Sequence, residues 1–535
     1  MQKNVTLAVI LFFVLLVSLY LGTTVASGDI IALSGWAGVT ILILFLIKGY
    51  RFSWMAMLFL AWGQISFMLS FRIEPTHAIS VVFGLFVLSS WMRGVKLPLD
   101  VSQRQVGILP LNIAILVFLF YGGIHLTISR TLPVLPGEFN LGNSAKAYFK
   151  TYAPLAFLLF GLNAKIGFHA QKNWAATFIY LMALAVLGNL AYLGYLYING
   201  FSSVDDRAGA SEIGLIYIPL INAVPHHFAM RTLGPLAVLF GFGLASAPGW
   251  LRQQPFLLKL ALILLICGGL AGAVMSGGRA AVGMCLLFFG LVAIYRKRVG
   301  LVIAFGMASM LALAIVNLFS GFINEKAPTF VARPLQYFMF KKGDSMDTIN
   351  HSQDQRNALY DAAIDEWKSD PRITIIGRGT YSYKNTFDEL RSVLGEQGAF
   401  VEVNLRAGTC HALIPSALLQ YGIFGFFLYL IIWFFLLRYN WKLLKFAKRE
   451  GLSFQIQTMI MCLFFYLCLR LIIDLVAAAW MTMFVVTMFL LIRSRISYEL
   501  SQRLADEEAE NTAPLLPKLG SRVAAPATRN SYKTR

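Results

Sequence analysis

Charge is what this sequence has least of. Asp, Glu, Lys and Arg make up 13% of its 535 residues, against roughly 25% in a soluble domain, and that shortfall excludes a soluble globular protein. Acidic residues are the scarcer sign, 26 against 45 basic ones. An excess of this kind fits basic cytoplasmic loops beside anionic lipid. The basic residues stand in ones to fives between apolar segments rather than together on one soluble face, so nucleic-acid binding is excluded. Of only five cysteines, Cys267, Cys285, Cys462 and Cys468 lie inside apolar runs and Cys410 adjoins a polar loop. Neither a disulfide framework nor a CxxC metal pair is available. HExxH, a Walker loop and Gly-x-Ser-x-Gly are all missing, which removes the metalloprotease, nucleotide-driven pump and esterase readings. No internal repeat suggests the inverted halves of a secondary transporter.

What the sequence has is hydrophobic length. Hydrophobic residues are 58% of the chain, and apolar windows of about 20 residues recur almost throughout. They predict spans near 5–26, 30–48, 52–71, 77–92, 106–127, 147–165, 174–198, 232–249, 256–275, 280–296, 299–320, 412–437, 456–473 and 476–493. The first run is too long for a signal-peptide core of roughly 7–15 residues and reads as a span. The expected fold is an all-α polytopic integral membrane protein of about 12–14 transmembrane helices. Basic residues fall in alternate loops, including Lys48, Arg51, Arg93, Lys96, Lys165, Lys172, Arg252, Lys259, Arg296–Arg298 and the run from Arg438 to Arg449. The positive-inside rule then puts both termini in the cytoplasm.

The long loops 128–146, 199–231 and 321–411 all fall on the opposite face, and loops of such length tend to be functional. In the largest, Asn357 to Trp367 has helical amphipathic spacing and Pro371 stops it, so a small folded cap is expected. The chain divides into an N-terminal bundle at 1–320, the large loop at 321–411, C-terminal spans at 412–493 and a disordered tail at 494–535.

Several polar residues at the span ends on that face could carry chemistry. Arg279, in Ser276-Gly277-Gly278-Arg279-Ala280, combines a turn that can approach a ligand with a guanidinium fork suited to phosphate; snorkelling to headgroups is the structural alternative. Arg356 opens the amphipathic stretch, and Gly377-Arg378-Gly379 is a turn able to aim backbone amides at an anion. His411, at the junction of loop and span, can take a proton from a hydroxyl nucleophile. Arg470 and Asp474, four residues apart, pair with each other or line a polar cavity. Asp205-Asp206-Arg207 offers hard oxygen ligands but only two carboxylates. His226 and His227 read as interfacial.

The order of these features resembles the O-antigen ligase and polymerase superfamily of bacterial inner-membrane proteins. Ser276 to Ala280 is similar to the family's Ser-Arg-Gly turn. Arg356 with its helix, Pro371 and Gly377-Arg378-Gly379 resembles the start of the family's large periplasmic loop, and His411 followed by Gly422-Ile423-Phe424-Gly425 resembles the ligase signature. Coverage is roughly residues 200 to 440. Two positions depart: Ala412 stands where the family usually has Asn, Ser or Gln, and Gly278 replaces the serine before the arginine.

The resemblance implies an undecaprenyl-diphosphate-linked glycan as donor and a glycan or lipid A-core hydroxyl as acceptor, with no metal or other cofactor. Arg279 and Arg356 would bind the diphosphate and stabilise the leaving group, and His411 would be base or orienting group. Arg207, Arg378 and Arg470 are further candidates for the anionic site. It also implies the inner membrane, with the active site on the periplasmic face. A repeat-unit polymerase would keep the same arginines and histidine, and a protein O-oligosaccharyltransferase of the superfamily would attack through serine or threonine of a pilin, while a lipid-linked sugar flippase is the alternative from another class. A metal-dependent oligosaccharyltransferase would need an acid in the first outer loop, where only Asp29 stands.

Overall fold

A computed structural model of the chain describes residues 107–129, 141–163, 174–198, 223–225, 229–276, 279–326, 345–379, 387–407, 413–473 and 483–512, with Cys410 and short pieces at 55–87 and 335–340. The predicted spans 5–26 and 30–48 lie outside these residues. Apolar runs become helices because a helix satisfies every backbone group internally. In chain order these are α1 (Leu109–Ser129), α2 (Leu141–Asn163), α3 (Trp174–Ile198), α4 (Ala229–Ala245), α5 (Pro248–Arg252), α6 (Phe256–Met275), α7 (Arg279–Tyr295) and α8 (Val299–Leu318). The polar region between the spans holds α9 (Ser320–Lys326), α10 (Ser345–Ser369), α11 (Pro371–Ile376) and α12 (Phe387–Ala407). The chain then continues through α13 (Leu413–Arg449), α14 (Phe454–Ile473) and α15 (Met483–Thr512). Among the described residues, four helices are long and apolar enough to cross a membrane, the segments Trp174–Gly194, Phe256–Met275, Ile414–Arg449 and Phe454–Leu471.

Three expectations are corrected. The run 52–71 is not helical throughout: Ile65–Met68 forms β1, which pairs antiparallel with β2 (Arg72–Ile73) on one side and β3 (Ala223–Pro225) on the other. Ile-Ser-Phe-Met is as good a short strand as a helix turn, and periodicity does not separate the two. The basic run after 437 is not a loop, since α13 continues through Arg449. The tail does not become disordered at 494, because α15 runs to Thr512. Its sequence is rich in Leu, Ala, Glu, Gln and Arg, all good helix formers. Arg503 anchors it by donating to the carbonyls of Glu450 and Gly451 at 2.6 and 2.7 Å and pairing with Glu499 at 2.9 Å, while Glu499 also accepts from the Ser453 amide. This one turn of α15 therefore ties off the end of α13 and the start of α14.

Side-chain contacts give the bundle two chemically different ends. At the basic end Arg493 donates to the Gly161 carbonyl, Arg495 lies 5.2 Å from the Trp174 ring, Arg296 donates to Thr458 and Lys448 lies 4.5 Å from the Tyr295 ring. These contacts collect the end of α2, the start of α3, the end of α7, the tail of α13, the start of α14 and the middle of α15. The other end carries α10 to α12, the end of α1, the start of α4, the start of α7 and the end of α14.

The centre of the bundle is packed through small residues, as close helix approach in an apolar medium requires. A Cβ at Gly234 of α4 would stand 2.6 Å from the Gly269 carbonyl of α6 and 3.1 Å from Ala273. Gly234→Ala is expected to force α4 and α6 apart at about 1–3 kcal/mol, read as a lower midpoint of thermal unfolding in detergent. Gly188→Ala on α3, where a Cβ meets nothing within 4 Å, is the matched control and should leave the midpoint unchanged or raise it.

Candidate functional site at the loop end of the bundle

The loop between α8 and α13 folds around a core of its own. Leu359 and Ala363 of α10 bury together with Cys410 and Leu419, flanked by Tyr360, Trp367, Ile373, Phe400 and Leu405. A tight corner joins α10 to α11. The Asp370 carboxylate caps α11 by accepting from the Arg372 amide at 2.7 Å, Pro371 occupies its first turn, and Trp367 and Thr374 exchange side-chain to carbonyl hydrogen bonds at 3.1 and 2.8 Å. These are the features an N-cap and a proline at the first helical position predict.

The corner delivers Ile375 to Gly379 onto a break in α13. Gly422 has φ 64° and ψ −174°, so the helix splits into 413–421 and 423–449. A broken helix leaves carbonyls without intrahelical partners, and here the loop and α1 supply them. The Arg378 amide donates to Leu419 at 2.9 Å, the Gly379 amide to Gln420 at 3.0 Å, and the Tyr121 hydroxyl to Tyr421 at 2.6 Å. Two backbones cross here with no room for side chains. A Cβ at Gly377 would lie 2.4 Å from the Gln420 carbonyl group, and one at Gly422 would lie 2.3 Å from the Ile375 carbonyl oxygen.

The arginines divide between two roles. Arg378 is committed locally, its guanidinium paired with Glu366 and donating to the Leu405 carbonyl with only 13% of the side chain exposed. It acts as a strut joining α10, α12 and the crossing. Arg356 is half-buried at the middle of α10, on the stripe that holds Leu359, Tyr360 and Ala363. Ten residues at about 1.5 Å each put the backbone at Arg356 roughly 15 Å along α10 from Glu366, the partner of Arg378. Burial raises the Tyr360 hydroxyl above the usual tyrosine range and Arg356 pulls it back, as expected of a cation one turn away.

Arg279 opens α7, and the end of α6 is tied to α4, where Arg231 donates to the Ser276 carbonyl at 3.3 Å. Arg470 closes α14, its guanidinium 5.9 Å from the Tyr466 ring. Cys462 of α14 contacts the Leu239 carbonyl, and Gly243 of α4 abuts Cys462 and Thr458. That register runs α4 antiparallel to α14 and brings Arg231 and Arg470 to the same end. Arg207, His411, Asp474, Asp205, Asp206, His226, His227 and Asp29 lie outside the described residues. Leu413, two residues after His411, begins the half-helix that the loop grips.

Three participants carry no sequence signal of their own. Tyr121 and His125 sit in an apolar run, and Arg231 falls at the last position of a predicted loop. Cys410 is no nucleophile: burial pushes its thiol up to about 11 against the opposing pull of a hydrogen bond with Ser416, and thiolate is the reactive form. Among the described residues no three His, Cys, Asp or Glu side chains come together as a metal site would need.

The strut predicts its own test. Glu366→Gln removes one charge from a pair intermediate between exposed and buried, at about 2 kcal/mol. Limited proteolysis should then cut within 345–407 faster than in wild type, with the spans intact.

No protein-family model matches the chain, and no curated protein matches it either.

Proposed function

We propose that the chain is a metal-independent membrane glycosyltransferase that moves a glycan from an undecaprenyl-diphosphate carrier to a sugar hydroxyl. In the O-antigen ligase type of this reaction the polymer is joined to the lipid A-core. The reading takes the loop end as periplasmic and the basic end, where α15 finishes, as cytoplasmic, in a bacterial inner membrane. The observation that carries it is convergence at one end of the bundle: the start of α7 at Arg279, the end of α14 at Arg470, the half-buried Arg356 of α10 and the half-helix that begins beside His411.

A lipid diphosphate lies at a membrane interface, so its cations belong at span ends on one face. Its departure as a diphosphate calls for fixed positive charge more than for protonation. Arg279 and Arg356 supply that charge, with Arg207 and Arg470 as further contacts, and His411 accepts the proton of the acceptor hydroxyl. Arg378 supports this indirectly, through the strut with Glu366. A polymerase of the same superfamily is the close alternative. A flippase is the alternative from another class, and it would instead spread its polar groups along a central cavity.

The test follows surface glycan by gel in cells lacking the chain and complemented with wild type. Unattached polymer on its lipid carrier in the deletion identifies a ligase, and single repeats on the acceptor identify a polymerase. A deletion with undiminished glycan overturns the reading. Chelator in a reconstituted assay is expected to leave the rate unchanged.

A further inference from the structure

We propose that Tyr121 and His125 of α1 are positioning residues of the transfer site, holding the half-helix 413–421 and the loop in one register against the bundle. The assignment rests on the transferase reading for its function, while the geometry stands on its own.

Tyr121 and His125 are one helical turn apart and share a face. The Tyr121 hydroxyl lies 2.7 Å from the Ile376 carbonyl and 2.6 Å from the Tyr421 carbonyl, so one side chain from a third element stands between both backbones of the crossing, its single hydrogen shared between two acceptors. His125 is 1% exposed, and its ring lies against the Ile376 and Gly377 backbone. Rings fill the space between, with His125 5.5 Å from Tyr121 and 5.7 Å from Tyr421, and Tyr121 5.4 Å from Phe424.

A buried histidine and tyrosine in an apolar helix are costly unless their polar atoms are satisfied. Setting them against the two crossing backbones uses that cost for geometry. Fixing a helix end that needs only covering would take a single donor, and the amides of Arg378 and Gly379 already cover Leu419 and Gln420. What Tyr121 and His125 add is a link from the bundle to the loop. Without it α10, α11 and the half-helix 413–421 can shift as one body about Gly422. A displacement of about 1 Å costs a transferase on the order of 10²-fold.

Cys410 provides a reporter. It is fully buried between α10 and Leu419, with its amide donating to Ser416 of the half-helix at 2.9 Å. In the full-length chain carrying Cys267→Ala and Cys468→Ala, Cys285 and Cys462 remain as buried references inside the bundle. Tyr121→Phe keeps the ring and removes the hydroxyl, and Tyr121→Phe with His125→Gln removes both links. N-ethylmaleimide labelling of each cysteine, membrane level and surface glycan are then measured in the same cells.

The expected result is Cys410 labelling at least 10-fold faster, with Cys285 and Cys462 still protected, unchanged membrane level and at least 10-fold less attached glycan, larger in the double variant. Unchanged Cys410 labelling, or unchanged glycan with Cys410 exposed, overturns the proposal. Simultaneous exposure of all three cysteines with a falling membrane level also overturns it, because that is a core residue whose loss unfolds the bundle. A deletion strain with normal glycan removes the transferase reading and the assignment with it. That failure is told apart because it precedes any variant, and Cys410 labelling still reports whether the link exists.

Discussion

Alanine at Gly422 is expected to lower the stability of the detergent-solubilised protein by about 3–5 kcal/mol, seen as a large fall in thermal midpoint and in steady-state membrane level. Two terms add. The backbone at φ 64° and ψ −174° lies in a region essentially reserved for glycine and costs an L-residue about 1–3 kcal/mol, and the new Cβ would stand 2.3 to 2.5 Å from Ile375 and Ile376 backbone atoms, which cannot swing aside as a side chain can. Overpacking of this kind costs about 1–3 kcal/mol before the crossing itself is lost. Once α11 withdraws, the Leu419 and Gln420 carbonyls lose the Arg378 and Gly379 amides in a largely apolar setting. Gly377→Ala, with φ 81° and a clash at 2.4 Å against the Gln420 carbonyl, should behave the same way. Gly395→Ala separates the two terms. Its φ of 72° and ψ of 174° lie in the same region as Gly422, but a Cβ there meets nothing within 4 Å, so only the backbone term of about 1–3 kcal/mol is expected. Equal effects at 395 and 422 would mean that the crossing contributes nothing beyond strain.

That crossing also marks where sequence reading reached and where it stopped. Hydropathy identifies α3, α6, α13 and α14 because each is a long apolar run, and it separates α14 from α15 because 456–493 is too long for one span. Amphipathic spacing from Asn357 to Trp367 with Pro371 places the second half of α10 and its stop, while the helix itself begins at Ser345. Hydropathy misses the strand at Ile65–Met68, because a four-residue apolar piece has no decisive period and its partners Arg72–Ile73 and Ala223–Pro225 are set by tertiary pairing. It ends α13 and α15 too early for the opposite reason: charge signals the edge of a membrane, not the end of a helix. Gly422 is visible as part of a Gly-x-x-Gly pattern, yet a glycine inside an apolar run reads equally as continuous helix. Only the approach of Ile375 distinguishes the break. Tyr121 and His125 are silent because their partners lie 255 and 300 residues away for Tyr121 and are backbone atoms, which no side-chain pattern records. Arg378 is legible as a cation in a turn, but its commitment to Glu366 depends on the chain reversing at Asp370.

Removing the cations that the reading assigns to the donor is expected to abolish product without touching the fold. At matched membrane levels Arg279→Ala, Arg356→Ala and His411→Ala should each lower attached glycan by about 10²–10³-fold, the usual effect of losing one preorganised group that stabilises developing charge. Arg356→Ala is the sharpest of the three. The residue is half-buried on the stripe of α10 that packs on the loop core, so it is held in place, yet its neighbour Tyr360 lets the helix keep its packing when the guanidinium is gone. Arg356→Lys keeps the charge and loses the bidentate fork, and an intermediate loss of roughly 10-fold is expected because a compact ammonium meets a diphosphate at one point. Arg378→Ala should differ in kind: it breaks the strut to Glu366, so membrane level and protease resistance fall together with product. A transporter would give another pattern, tolerating His411→Ala and Arg356→Ala wherever its cavity lies elsewhere. If all three alanine variants restore wild-type glycan at wild-type levels, the loop end of the bundle is not where the chemistry occurs. The arginines there would then be interfacial anchors, and transport would become the leading account of the chain.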